Sequence, residues 1–382
     1  MTQRELEKKV DALMKRFDDV NAFYIQKIAE QVKKSGELIP ASINQLTIIA
    51  EMNADIAAIN QMLADALRYT IPDLYTLYQD AMQSHYTDPR FKRVLTLQPL
   101  SDSAKARLNH YTETVSRQTA GRLVNLSNTT LTSQTYRRTV DNAVLAVSSG
   151  IADYKSATRQ SIRELGHNGM QLQYPSGYHR RLDTAVRQNI IDGANQIAQN
   201  GSIMMGEELG YDAFELSAHM RSAPDHEPIQ GRVFLKAEFE KLQSQQPFKD
   251  IEGHHFDAIK RAIGEWNCMH IAMSFSTKYS VRRYTDDQLN DWAKANKEGC
   301  EIDGKHYTIY EASQLMRRIE TAVRREKDTA NAARIAGDDD LRRECQRKIN
   351  ALGARYQNVC NVSGLTPRKD RMRVEGFRMV KV

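Results

Sequence analysis

Residues 166–177 run Gly166-His167-Asn168-Gly169-Met170-Gln171-Leu172-Gln173-Tyr174-Pro175-Ser176-Gly177. Upstream of this stretch, apolar residues recur at steps of three and four, the spacing that lines one face of a helix. Here polar and apolar residues alternate over 170–174 and then meet Pro-Ser-Gly, the pattern of a short strand closed by a turn. A helix from about Leu182 to Asn200 should follow. The predicted fold is therefore mainly α with a small α+β domain: an elongated N-terminal helical region over 1–165, a compact mixed domain over 166–283, and a basic C-terminal helical hairpin with its tail over 284–382.

Working back toward the N-terminus, Leu6, Val10, Leu13, Phe17, Val20, Tyr24, Ile28 and Val32 form one stripe, which predicts a helix ending near Ser35-Gly36, before Pro40. A second stripe, Ile43, Leu46, Ile49, Met52, Ile56, Ile59, Leu63 and Leu67, predicts an antiparallel partner from about Ser42 to Tyr69. Pro72 reads as a break, with helix resuming from Leu74 to His85, and Pro89 and Pro99 as the bounds of a linker. More helix is expected over 101–163, interrupted near Ser148-Ser149-Gly150, with residues 153–165 closing the run.

Working forward, residues 214–217 and 231–234 read as short strands, 256–263 as helix and 268–275 as extended chain, with Trp266 and Phe275 anchoring a small core. Thr285 with Gln288, and Thr308 with Glu311, have the spacing of a capping box. After Thr308 a long helix should turn an inner face of Leu315, Ile319 and Val323 to its partner. Gly337-Asp338-Asp339-Asp340 should reverse the chain into that second helix, which carries Leu341, Ile349, Leu352 and Tyr356 and ends at Ser363-Gly364, before an extended basic tail.

Composition excludes several classes. Of 382 residues, 41% are hydrophobic and 27% charged, which is too apolar for wholesale disorder and too mixed for a fibrous repeat. No apolar run reaches the ~18 residues of a membrane span, and the charged start, Met1 to Lys9, lacks the apolar core of a signal peptide, so synthesis and use on the cytoplasmic side are expected. Four scattered cysteines, Cys268, Cys300, Cys345 and Cys360, are expected to be reduced. The net charge of +6 is mild, yet residues 311–382 hold 17 Lys and Arg against 10 Asp and Glu, so the C-terminal segment carries an excess of +7. Such a segment suits an acidic partner such as DNA, or a solvated helix face.

One polar cluster could carry chemistry. Ser217, His219, Asp225, His226 and Gln230 precede, by about forty residues, Asn267-Cys268-Met269-His270. His219, His226, Cys268 and His270 are the borderline and soft donors that tetrahedral zinc takes, and in extended chain Cys268 and His270 point to the same side. The same residues fit a buried hydrogen-bonded turn with Cys268 as a small core residue, or a histidine base beside a cysteine nucleophile. His254-His255 suits an exposed loop. Phosphate-binding loops, dinucleotide fingerprints, zinc-protease helices and nucleophile elbows are absent from the sequence.

Tyr174-Pro175-Ser176-Gly177, Ser217-x-His219, Pro224-Asp225-His226, Gln230-Gly231-Arg232-Val233-Phe234, Asn267-Cys268-x-His270, Tyr310-Glu311-Ala312-Ser313-Gln314, Ala336-Gly337-Asp338 and Arg371-x-Arg373-Val374-x-Gly376 occur in that order. From about Gly150 onward the ordered set resembles the phage minor capsid protein 2 family of tailed-phage head proteins. The resemblance implies a minor component of the virion head, made in the bacterial cytoplasm and assembled at or near the portal vertex. Its implied partners are portal protein, major capsid protein, other copies of itself and packaged double-stranded DNA, with no membrane partner. Tyr174, Pro175, Gly177, Ser217, Asp225, Gln230, Gly231 and Asn267 would then be structural, and Arg368, Lys369, Arg371 and Arg373 candidates for DNA contact. Zinc is the one candidate cofactor. Where the family usually has arginine, this chain has Ala223 and Met269, which weakens a catalytic reading because neither side chain supplies a charged planar donor. The alternative functions are a metal-dependent nuclease carried with the head and a DNA-binding module without chemistry.

Overall fold

The computed structural model describes residues 3–37, 42–128, 130, 132–148, 153–174, 176–264, 268 and 270–382. Pro40, the interruption expected at 149–150, Pro175, Trp266, Asn267 and Met269 lie outside the described residues. In chain order the elements are α1 (Gln3–Glu37), α2 (Ser42–Gln83), α3 (Pro89–Leu97), α4 (Asp102–Asn128), α5 (Thr132–Ser148), α6 (Tyr154–Asn168), β1 (Gln171–Gln173), β2 (His179–Arg181), α7 (Leu182–Glu208), β3 (Ala213–Leu216), β4 (Val233–Leu235), α8 (Lys236–Gln243), β5 (Phe248–Lys249), β6 (His255–Phe256), β7 (Ala272–Phe275), α9 (Asp286–Glu298), β8 (Cys300–Ile302), β9 (Lys305–Tyr307), α10 (Ile309–Ala336) and α11 (Asp339–Ser363). The protein is mainly helical with small antiparallel sheets, as the sequence predicts. The chain forms two compact units, one of Glu7–Asp73, Ala120–Asn189 and Leu315–Val382, the other of Met1–Leu6, Leu74–Thr119 and Ile190–Gln314.

In the first unit the predicted stripe of α1 is buried from Val10 to Val32. Lys34 pairs with Glu51 at 3.0 Å, Lys27 with Asp55 at 3.2 Å and Arg16 with Asp73 at 2.7 Å. Numbers fall on one helix as they rise on the other, so α1 and α2 run antiparallel. Contrary to expectation, α2 does not break at Pro72. A proline inside a helix costs roughly 3 kcal/mol through its missing N–H and ring clash. Arg16 reaches both sides of it, to Asp73 and to the Thr70 hydroxyl at 3.5 Å, and Leu67 and Thr70 are buried just before it.

The expected alternating strand is β1, and its partner β2, unforeseen, pairs with it antiparallel, Leu172 opposite Arg180. Tyr174 and Gly177 make the turn: the Tyr174 N–H donates to the Tyr178 carbonyl at 2.9 Å, and Gly177 takes φ +80°, open to glycine without strain. The predicted C-terminal hairpin is α10 and α11. Lys348 meets Glu326 at 3.6 Å and the Tyr356 hydroxyl donates to Glu320 at 3.0 Å, again an antiparallel register. Asp338 caps α11 by accepting the Leu341 N–H at 2.9 Å. The tail is not simply extended, since Lys369–Met372 forms a 3-10 turn.

In the second unit, the stretch between Pro89 and Pro99 is helix α3 rather than a linker. Pro89 occupies the first helical position, where no N–H is needed, and Phe91 stacks on Tyr211 with ring centroids 5.6 Å apart. The sheet has order β4-β3-β7, antiparallel throughout, with Phe214 opposite Phe234 and Ser274. The helix expected over 256–263 is absent. Phe256 ends β6 and stacks on Phe248 of β5 at 5.3 Å, and the irregular chain beyond is held by Gln243, whose amide bonds the N–H of Ile263 at 2.7 Å and its carbonyl at 3.1 Å. The three-and-four spacing of Phe256, Ile259 and Ile263 thus serves a cluster with Phe234, Phe239 and Phe248, not a helix face. Helix α8 and the β8–β9 hairpin were not expected. Thr308 and Glu311 form the predicted capping box, N–H to carboxylate at 2.9 Å and N–H to hydroxyl at 3.1 Å, and Thr285 caps α9 by accepting the Gln288 N–H.

Candidate functional site

The predicted cluster assembles where β3 ends and the chain enters β7. The Ser217 N–H donates to the Ile271 carbonyl at 2.9 Å, while the Ser217 hydroxyl accepts the Ile271 N–H at 2.9 Å. One serine thereby extends the β3–β7 ladder by a residue, and Cys268 and His270 lie against the turn-rich segment 217–231. Within those turns the Ala223 carbonyl accepts the N–H groups of His226 and Glu227, and Gly231 holds φ +68° with Leu289 so near that a Cβ would come within 2.7 Å of it. That backbone angle is strained for a residue with a side chain and open to glycine.

Cys268 Sγ lies 3.4 Å from His226 Nδ1 and 3.7 Å from His270 Nδ1. The ligand-type atoms of these three residues all lie within 4.8 Å of one another, and all three side chains are buried. The opposite ring nitrogens face outward. His226 Nε2 donates to the Arg261 carbonyl at 2.9 Å, and His270 Nε2 sits 3.3 Å from Ser222 Oγ and 3.4 Å from Gln230 Oε1. Gln230 Oε1 also accepts the His219 backbone N–H at 2.9 Å, which fixes the amide with its oxygen inward. Asp225 lies 3.8 Å from His226 Nε2 and is gripped by Arg261 through bonds of 2.8 and 3.0 Å.

His219 does not converge with the other three. Its ring stacks on His270, centroids 4.6 Å apart and planes at 20°, and its buried Nε2 has no hydrogen-bond partner. Burial, the Arg221 charge and His226 push its pKa down to about 4, and burial beside His219 and His226 pushes His270 down to about 2. Both rings are neutral at pH 7. Burial opposes charge on His226, but the Cys268 thiol, the Arg261 carbonyl and Asp225 outweigh it and raise its pKa. Burial likewise opposes a Cys268 thiolate, and the hydrogen bond to His226 outweighs it, lowering the pKa. Sulfur and imidazole are thus poised to share or lose a proton.

Arg261 had no local signal in the sequence, because its partner Asp225 is 36 residues away. It brings an arginine to the neighbourhood where Ala223 supplies none. A second group, Asp250, Glu252 and His254, also has donor atoms close together. There Asp250 is already satisfied by Arg232 at 2.8 Å, His254 at 2.8 Å and two backbone N–H groups, so it locks a turn. None of the four cysteines is in a disulfide.

The candidate DNA-contacting residues differ in surroundings. Arg368 is tucked against buried Glu320 at 3.0 Å and Arg371 against Glu7 at 3.4 Å. Lys369 is exposed, and Arg373 is exposed beside Glu375 at 3.3 Å. Among the described residues no helix is long and apolar enough to cross a membrane.

A family model described as phage minor capsid protein 2 matches residues 1–358. The match reaches further toward the N-terminus than the motifs from Gly150 onward indicate, taking in the helical half, and it stops before the basic tail. Searches of curated proteins and of solved structures return no match.

Proposed function

The chain belongs to the phage minor capsid protein 2 family, and from that premise we propose that it is a structural component of the phage head, present in few copies at or near the portal vertex. The observation that carries this reading is a family match spanning nearly the whole chain, helical half included. Portal protein and major capsid protein are its proposed partners, and the exposed basic residues after α11 its proposed contact with packaged DNA. A nuclease centred on the histidine and cysteine cluster is disfavoured by burial. His226, Cys268 and His270 expose only 1%, 7% and 3% of their surface, whereas a hydrolytic centre has to meet the DNA backbone.

Quantitative mass spectrometry of purified particles, with portal protein as the internal standard, tests the proposal. A reproducible copy number near or below that of the portal is expected, with cross-links to portal or major capsid protein. Absence from mature particles, with abundance in infected cells, would overturn it in favour of an assembly factor.

A further inference from the structure

We propose that His226, Cys268 and His270 bind one zinc ion, which ties the turns after β3 to the chain entering β7. His226 Nε2 faces a backbone carbonyl, which only accepts, so that nitrogen carries hydrogen and Nδ1 has no proton beyond the one it can share with the Cys268 thiol. His270 Nε2 faces Gln230 Oε1, whose orientation the His219 N–H has fixed, and Ser222 Oγ, whose own proton goes to the Ala223 carbonyl at 3.3 Å. Both neighbours accept, so His270 Nε2 also carries hydrogen and its Nδ1 is bare.

Two imidazole Nδ1 atoms therefore point at one sulfur. A thiol has a single proton and can satisfy one of them, leaving the other lone pair against sulfur in a buried site, an arrangement that costs free energy. A divalent cation removes the conflict by accepting all three lone pairs.

The distances agree with that role. With Zn–S near 2.3 Å and Zn–N near 2.0–2.1 Å at tetrahedral angles, a ligand sulfur and a ligand nitrogen stand about 3.6 Å apart. The two separations here, 3.4 and 3.7 Å, bracket that value. One thiolate and two imidazoles are donors for zinc rather than for magnesium or calcium, which take oxygen. Both rings also donate their far N–H to an outer acceptor, which is how metal-bound histidines are usually held in orientation.

On binding, the Cys268 S–H bond breaks, its proton goes to solvent and the sulfur lone pair forms the bond to zinc. His219 packs on the face of His270 and is not a ligand, so the fourth position falls to water. The ion would join residues 42 positions apart at the edge of the cluster containing Leu216, Ile229 and Cys268.

The test uses the full chain purified without added metal. Elemental analysis should find about one zinc per chain, retained by His219→Ala and lost from His226→Ala and Cys268→Ser. Because those two variants can misfold, the wild type is also stripped with chelator and titrated with cobalt(II). A thiolate-to-cobalt charge-transfer absorption with tetrahedral ligand-field bands is expected. A folded wild type that carries no zinc and takes up no cobalt would overturn the proposal. So would zinc retained in both ligand variants, or zinc lost from a folded His219→Ala.

Discussion

Arg181 Nη2 donates to Asp328 Oδ2 at 2.9 Å, and the aspartate side chain has no exposure to solvent. The arginine also reaches Asp183 at 3.4 Å, and Arg324 joins Asp183 from α10, so β2, α7 and α10 of the first unit meet on a buried charge network. Removing one partner of such a pair leaves the other charge uncompensated in a low-dielectric site. Asp328→Ala should therefore cost about 3–5 kcal/mol in chemical denaturation. A loss below about 1 kcal/mol, the range of an exposed pair, would mean that water reaches the network.

The same network sets a pH dependence. Asp18 on α1 faces Asp183 and Asp328, which repel its charge, and Arg324 and Arg187, which favour it. Burial is the largest influence, and its pKa is raised to about 7. Asp328 is shifted in the same direction, again chiefly by burial. Asp183 is shifted down, because the arginines outweigh its burial, and it stays ionised above pH 4 in folded and unfolded chains alike. Between about pH 4 and 7 the folded protein therefore holds a proton on Asp18 that the unfolded chain has released. Stability should fall as pH rises through that window. Asp18→Asn should flatten the fall, as read from denaturation midpoints at pH 5 and 7.5. An unchanged slope in the variant would show that Asp18 titrates normally.

What was legible in the sequence was what local spacing determines. The stripe of α1 needs only the period of one helix, and the α10–α11 reversal only Gly337 with the Asp338 cap. Pro72 reads locally as a break, whereas Leu67 and Thr70 are buried just before it and Arg16 pairs with Asp73 just after it, tertiary contacts that local spacing does not show. Phe256, Ile259 and Ile263 misled because an aromatic cluster and a helix face select the same spacing. At the site, His226, Cys268 and His270 were recognisable by residue type. Arg261 and Ser222 were not, since their partners lie 36 and 48 residues away. His219 has the right chemistry in the wrong orientation, which only the stacked geometry shows.

Two glycines that look alike in sequence should respond oppositely to alanine. A Cβ on Gly166 in α6 would lie 2.5 Å from the Thr329 backbone and 2.2 Å from its hydroxyl, so α6 would have to move away from α10. Gly166→Ala should destabilise by about 1–3 kcal/mol or more, because backbone cannot rotate aside as a side chain would. Gly121 in α4 has nothing within 4 Å of its Cβ position. There alanine should stabilise by about 0.5–1 kcal/mol, through the lower entropy of the unfolded chain. Thermal midpoints of the two variants check both signs, and equal shifts would refute the account of Gly166.

The basic tail separates two roles by neighbouring residues. The Arg368 side chain bonds Glu320, which is buried and otherwise accepts from the Tyr356 hydroxyl, and its backbone N–H donates to the same hydroxyl at 2.8 Å. Arg368→Ala should cost about 1–3 kcal/mol of stability, the range for leaving a buried acceptor short of a donor. Lys369 and Arg373 project into solvent, and their joint replacement by alanine should leave stability nearly unchanged. If they meet phosphates, each contributes about 0.9 to the slope of log K against log salt for double-stranded DNA. The double variant should then lower that slope by about two relative to the parent, in titrations from low to physiological salt. A parent protein whose affinity does not change with salt would remove DNA from its partners and leave the tail a solvated surface.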